Sequence, residues 1–226
     1  MRYDLVIFDC DGVVVDSERI GNRVFRRFLA DLGLSFSESQ VYERFLGRAL
    51  ADSLKIIEEL LGHPVPAELV HRYKQARDDT LRAEVEPIGG IRELLHDLDM
   101  PYCIASSGDH GKMRATLGAT GLLPLFEGRI FSATDVPRAK PAPDVFLLAA
   151  ASMHADPTRT AVVEDTVGGV TAACAAGMTA FGFAGLTPSA RLIDAGAHAT
   201  FGDMRELRAL LGLRPAGDST QLNSAR

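Results

Sequence analysis

Short apolar runs alternating with helical stretches constrain this chain more than any other feature. From Pro87 onward, segments of helical period lead repeatedly into apolar runs of a few residues. The patterns predict helix 91–98 before strand 102–105, helix 111–117 before a strand near 129–132, helix 144–151 before strand 160–163, and helix 168–176 before strand 179–183. A helix near 190–195, a short segment 198–201 and a helix over 204–211 close the series. A further run, Tyr3-Asp4-Leu5-Val6-Ile7-Phe8, opens the chain and ends in Asp9-Cys10-Asp11-Gly12. Strands separated by helices pair in parallel and need helices on both faces of the sheet. The expected fold class is α/β.

Between residues 17 and about 83 the pattern is helical throughout. Ile20, Val24, Phe25, Phe28, Leu29 and Leu32 recur at helical spacing, and Gly33 supplies a stop. Leu54, Ile56, Ile57, Leu60 and Leu61 mark a second helix ended by Gly62, and Pro64 and Pro66 precede a third reaching about Leu81. The block has no strand-like segment and reads as an all-helical insertion after the first strand. Gly89-Gly90 stands where it closes, as a hinge or boundary would, while Gly168-Gly169 opens a helix and allows close packing. The polar end of the chain, residues 213–226, is expected to be a flexible tail.

Charge and composition exclude several partner classes. The net charge is −6 and no basic cluster or basic helix is visible, which argues against nucleic acid and acidic membrane surfaces. With 226 residues, 46% of them hydrophobic, the chain can bury a sizeable core without staples. Cys10, Cys103 and Cys174 form no CxxC pair and read as reduced core thiols rather than a disulfide or zinc framework. The acidic first residues do not resemble a signal peptide, and no run of about 18 apolar residues occurs, so a cytoplasmic protein is expected.

Four short stretches carry chemistry. Asp9 and Asp11 lie two apart on an extended segment, so both carboxylates can face one spot beyond the strand's carboxyl end, where open α/β sheets bind ligands. Glu164-Asp165 ends another apolar strand, and the two acidic pairs together offer the hard oxygen ligands that magnesium prefers. Zinc fits poorly, since neither a His pair nor a Cys pair accompanies them. Ser106-Ser107-Gly108 follows a strand and precedes a helix. Alone it reads as an ordinary helix cap, but its hydroxyl and backbone N–H groups also suit an anion. Lys140 sits on a loop stiffened by Pro141 and Pro143, a point charge suited to phosphate if it faces inward and an ordinary exposed lysine if it does not.

These stretches, FDCDGVVVDSE (8–18), IASSGD (104–109), AKPAPD (139–144) and VVEDTVGG (162–169), resemble the haloacid dehalogenase superfamily. The resemblance implies a Rossmann-like core, residues 1–16 and 88–212, with a helical cap at 17–87. It implies Asp9 as the nucleophile that becomes aspartyl-phosphate and Asp11 as the acid and then base. Ser106 would bind the transferring phosphoryl group, helped by Ser107, and the loop glycines Gly12 and Gly108 would line the phosphate site. Lys140 would bridge that group and Asp9. Asp9, Asp11 through its backbone carbonyl, Asp165 and Glu164, directly or through water, would hold Mg²⁺. The presence of Asp11 favours phosphoryl transfer over dehalogenation. In the stretch 45–54, Leu46 and Leu50 fall where phosphoglucomutases of the superfamily usually carry basic residues, so water is the expected acceptor. Arg48, the remaining cation there, is expected either to meet the substrate's non-transferred end or to stay exposed. The implied activity is hydrolysis of a small phosphorylated metabolite, a sugar phosphate or sugar-acid phosphate, by a monomer or weak homo-oligomer. A phosphosugar mutase and an inactive phosphometabolite-binding protein are the alternatives.

Overall fold

The computed structural model describes residues 3–213; most of the expected tail, 214–226, lies outside the described residues. Six strands form one parallel sheet: β1 (Leu5–Phe8), β2 (Tyr102–Ser106), β3 (Ile130–Ser132), β4 (Thr160–Glu164), β5 (Thr179–Phe183) and β6 (Ala199–Phe201). Their spatial order is β3-β2-β1-β4-β5-β6, and every pairing is parallel. The order reverses between β1 and β4, which is the switch point where a crevice opens beyond the strands' carboxyl ends. The Rossmann-like α/β class holds.

The alternation along β1 explains the two-faced core. Val6 and Phe8 join Ile104, Val163 and Phe181 on one face, while Leu5 and Ile7 join Cys103, Ala105 and Val162 on the other. Strands buried on both sides are near-continuously apolar, as parallel sheets require. Helices α5 (Ile91–Asp97), α6 (His110–Ala119) and α10 (Leu207–Leu210) cover the first face through Ile91, Leu94, Met113, Leu117 and Leu207. Helices α7 (Asp144–Ser152), α8 (Val167–Ala175) and α9 (Ser189–Asp194) cover the second through Phe146, Ala149, Val170, Ala173 and Leu192.

Residues 18–84 form four helices, α1 (Glu18–Asp31), α2 (Glu38–Phe45), α3 (Leu50–Leu61) and α4 (Ala67–Glu84). They bury a cluster of their own: Phe25, Phe28, Leu29, Val41, Phe45, Ile57 and Val65. Phe28 stacks on Tyr73 with ring centroids 4.8 Å apart. Leu81 at the end of α4 and Val85 beyond it belong to the sheet core instead, so α4 is anchored in both. The chain enters and leaves the helical block along paired segments: Asp16 N–H donates to Glu86 O and Ile88 N–H to Val14 O.

Three expectations need correction. Helix α2 was not separable in the sequence pattern, because it carries only Val41 and Phe45 as buried residues. Its start was legible in the capping box of Ser37 and Gln40. The stretch 204–211 is not one helix but a 3-10 turn, Met204–Glu206, followed by the single turn α10. Cys10 and Cys103 are buried, but Cys174 is exposed on α8 and its thiol meets Gly196 O.

Candidate active site

The loop after β1 places Asp9 and Asp11. Asp9 N–H still bonds to Val163 O, so the ladder holds its backbone while its side chain leaves the sheet's edge. Gly12 turns the chain with φ 77°, and a Cβ there would stand 2.3 Å from Asp165 Oδ2. Glycine is therefore what lets the loops after β1 and β4 approach.

Lys140 is the centre of the charge arrangement. It is 6% exposed, and its Nζ lies 2.7 Å from Asp9 Oδ1, 2.6 Å from Glu164 Oε1 and 3.0 Å from Ala105 O. All three ammonium protons are thus used. Glu164 Oε2 accepts from Asp165 N–H, Thr166 N–H and the Thr166 hydroxyl, which fixes the carboxylate against the start of α8.

Asp9, Glu164 and Asp165 each offer an oxygen, and these lie within 4.8 Å of one another. One lysine cannot neutralise three buried carboxylates. Burial, opposed by Lys140 but reinforced by Glu164 and Asp11, pushes Asp9 up to about 7. Burial followed by the charges of Glu164, Glu18 and Asp9 pushes Asp165 well above its usual range. Asp165 Oδ1 is buried without a hydrogen-bond partner among the described residues. An unpartnered oxygen beside two further carboxylates, with no nitrogen or sulfur donor, fits a hard, oxygen-seeking divalent cation.

Asp11 differs. Burial would raise its pKa, but the Lys112 ammonium, 2.8 Å from Oδ2, and the Ser17 hydroxyl on Oδ1 outweigh it and hold the pKa low. Ser106 ends β2 almost fully buried, and its Oγ accepts from Gly108 N–H at 3.0 Å. A Cβ on Gly108 would come 3.3 Å from Asp11 Oδ2, so this loop closes on the first one. Ser107 is half-buried beside it.

A cavity of about 460 Å³ lies over these residues, walled on its far side by α1, α2, α3 and α4. Arg48 lines it but is exposed, and its Nε donates to Arg44 O at 2.8 Å. Gly47 brings that loop onto the sheet side: a Cβ there would sit 2.7 Å from Thr166 Cγ2. Leu46 and Leu50 also line the cavity, Leu46 in the loop and Leu50 as the first residue of α3.

The family model for haloacid dehalogenase-like hydrolases matches residues 6–183. The chain belongs to this family. It is 34% identical over 187 residues to 6-phosphogluconate phosphatase of Escherichia coli, covering 80% of this chain and 83% of that one. A conserved haloacid dehalogenase-like protein of Agrobacterium tumefaciens shares its fold with a TM-score of 0.78 at 38% identity, covering 93% of this chain and 98% of the other. A family hydrolase of Deinococcus radiodurans, solved with bound phosphate and sodium, gives a TM-score of 0.74 at 30% identity, covering 95% and 99%.

In this haloacid dehalogenase-like hydrolase the sequence reading missed two cations at the site, Lys112, which is half-buried, and Arg77, which is buried. Lys112 sits in the first turn of α6, where the helix dipole disfavours a lysine, and that mismatch was the available signal. Arg77 is 5% exposed and pairs with Asp78 and Asp109. It occupies the inward stripe of α4 with Val70, Tyr73 and Leu81, a cation where the spacing calls for an apolar residue.

Proposed function

We propose that this haloacid dehalogenase-like hydrolase is a magnesium-dependent phosphatase that cleaves a small phosphorylated sugar or sugar acid through an aspartyl-phosphate on Asp9. The chain is a hydrolase of phosphoric monoesters. The observation that carries the finer reading is Asp9 itself, held by Lys140 at 2.7 Å beside the three-carboxylate cluster at the sheet's switch point.

In the first half-reaction an Asp9 carboxylate oxygen bonds to phosphorus and the bond from phosphorus to the leaving oxygen breaks. Lys140 orients Asp9 and offsets charge on the transferring oxygens, with Ser106 and the backbone at Ser107 facing them. Asp11 supplies the proton that the departing alkoxide needs. It is ionised when only Lys112 and Ser17 face it. A phosphate dianion arriving beside it opposes that charge and raises its proton affinity. In the second half-reaction Asp11 takes a proton from water, which attacks phosphorus and frees Asp9. A magnesium ion held by Asp9, Asp165, Glu164 and the Asp11 backbone carbonyl would supply charge that keeps Asp9 ionised and steadies the phosphoryl oxygens.

Residues 17–87 would act as the cap over a core made of 1–16 and 88–212, with Arg48 meeting the substrate's non-transferred end. Leu46 and Leu50 offer no cation to retain a second phosphate, which supports water rather than a sugar as acceptor. The relative of E. coli acts, by its name, on a sugar-acid phosphate, which supports that substrate class. The same reading places the protein in the cytoplasm as a monomer or weak homo-oligomer; no described helix is long and apolar enough to cross a membrane. A screen of phosphorylated sugars and sugar acids for phosphate release, with and without chelator, tests the assignment. Release that needs Mg²⁺ is expected. No release from any ester, or release indifferent to chelator, would overturn it.

A further inference from the structure

Lys140 has a neighbour to which the proposed phosphoryl transfer gives no task. Its Nζ stands over the ring of Phe146, 4.6 Å from the ring centroid. Phe146 is fully buried and the lysine side chain is 2% exposed, so the pair is shut off from bulk water. An ammonium this close to an aromatic face is attracted by the ring quadrupole, and more strongly when both are desolvated. The loop that carries Lys140 is also fastened to the helix that carries the ring. Arg138 clasps Asp144, the first residue of α7, with Nε 3.1 Å from Oδ2 and Nη2 2.7 Å from Oδ1. Phe146 N–H donates to Pro143 O at 3.1 Å. Loop and ring are thus held as one piece.

The ring supplies what the three oxygen partners of Lys140 cannot. Asp9 Oδ1, Glu164 Oε1 and Ala105 O use all three ammonium protons. Phosphoryl transfer asks the same ammonium to meet the transferring oxygens, so one of these bonds must yield. The bond to Ala105 O, at 3.0 Å, is the longest of the three, and its oxygen alone carries no charge. A hydrogen bond is lost when its proton turns away. Attraction to an aromatic face is tied to no single proton, so it persists while the ammonium turns.

We propose that Phe146 is a positioning residue for the phosphoryl transfer: its ring face holds the charge of Lys140 while the ammonium exchanges Ala105 O for a transferring oxygen. The proposal rests on the phosphatase reading above. Its effect is made where charge develops on the phosphoryl group and not where substrate binds, so it belongs to kcat rather than to KM.

The test replaces Phe146, site-specifically, by phenylalanines bearing one, two and three ring fluorines. The ring keeps nearly its shape and its apolar character, while each added fluorine withdraws electron density from the face. Phosphate release in Mg²⁺ from the best substrate of a screen, and thermal denaturation, are measured on each variant. The kcat is expected to fall stepwise along the series, about five- to thirtyfold with three fluorines, while KM and Tm stay near the wild type. The same series at Phe126, buried on the other face of the sheet beside Tyr102, should leave kcat unchanged. Phe146→Leu, which keeps an apolar side chain without a ring, should lose at least as much kcat, and the fluorinated rings decide the matter even if it does not fold. A wild-type enzyme that cleaves phosphate esters while kcat stays flat across the Phe146 series overturns the role of Phe146 alone, as does a fall that the Phe126 series matches. A wild-type enzyme that releases phosphate from no ester overturns the phosphatase reading and the positioning role with it.

Discussion

Gly169→Ala should damage the protein although it adds a single methyl group. Gly169 lies in the first turn of α8, and a Cβ there would sit 1.9 Å from Glu164 Cδ and Oε1 and 2.3 Å from Oε2. A carboxylate at the end of a free side chain could swing away. This one is 1% exposed and holds Lys140, two backbone N–H groups and the Thr166 hydroxyl. Displacing it separates a buried ion pair, which costs roughly 3–5 kcal/mol. Alanine regains only about 1 kcal/mol of helix propensity. The net loss is therefore about 2–4 kcal/mol. For a chain of this size that lowers Tm by roughly 4–16 °C. Activity should fall as well, because Glu164 orients the lysine that holds Asp9. Thermal denaturation and phosphate release on the same preparation measure both. A variant with wild-type Tm and kcat would refute the claim that Glu164 is fixed where the structure places it.

Four further outcomes follow. Lys140→Met should lower kcat about 10²–10³-fold, as loss of one preorganised donor does, and urea unfolding should show a large loss of stability from the facing carboxylates of Asp9 and Glu164. The raised pKa values of Asp9 and Asp165 mean that, without metal, the folded state holds more protons than the unfolded one above the ordinary value of 3.8. Stability from these groups is then full below that value and is lost as pH rises toward about 7 for Asp9, and as it rises through the raised range of Asp165. Mg²⁺ must displace those protons, so the Tm gain on adding it should be larger at about pH 8 than at about pH 5, and equal gains would contradict the site. Arg48→Ala should lower kcat/KM more on acidic than on neutral sugar phosphates; its exposure limits the difference to about 0.2–1 kcal/mol, roughly 1.5–5-fold.

The sheet was legible because each of its strands is a short apolar run bounded by turn residues, and the two-faced burial of β1 leaves no other reading. The sites at strand ends followed from that: Asp9, Ser106 and Glu164 each stand at or just beyond the end of a strand. Lys140 was harder. Nothing local shows that its ammonium turns inward to two carboxylates and Ala105 O; those partners lie 24 to 131 residues away. The helical block hid most. The stretch Arg72-Tyr73-Lys74-Gln75-Ala76-Arg77-Asp78-Asp79 is charged on every side, and only packing reveals that Arg77 is the buried cation. Gly168 and Gly169 looked alike, yet a Cβ at Gly168 meets nothing within 4 Å while one at Gly169 strikes Glu164.

The central claim is that Asp9 bonds covalently to phosphorus. Acid-quenching the enzyme during turnover of a good substrate, followed by peptide mass analysis, tests it most directly. The account predicts a peptide containing Asp9 heavier by one phosphoryl group, present in the wild type and absent in Asp9→Asn. Phosphate release by an Asp9→Asn variant at the wild-type rate, or a phosphoryl group found on another residue, would contradict it.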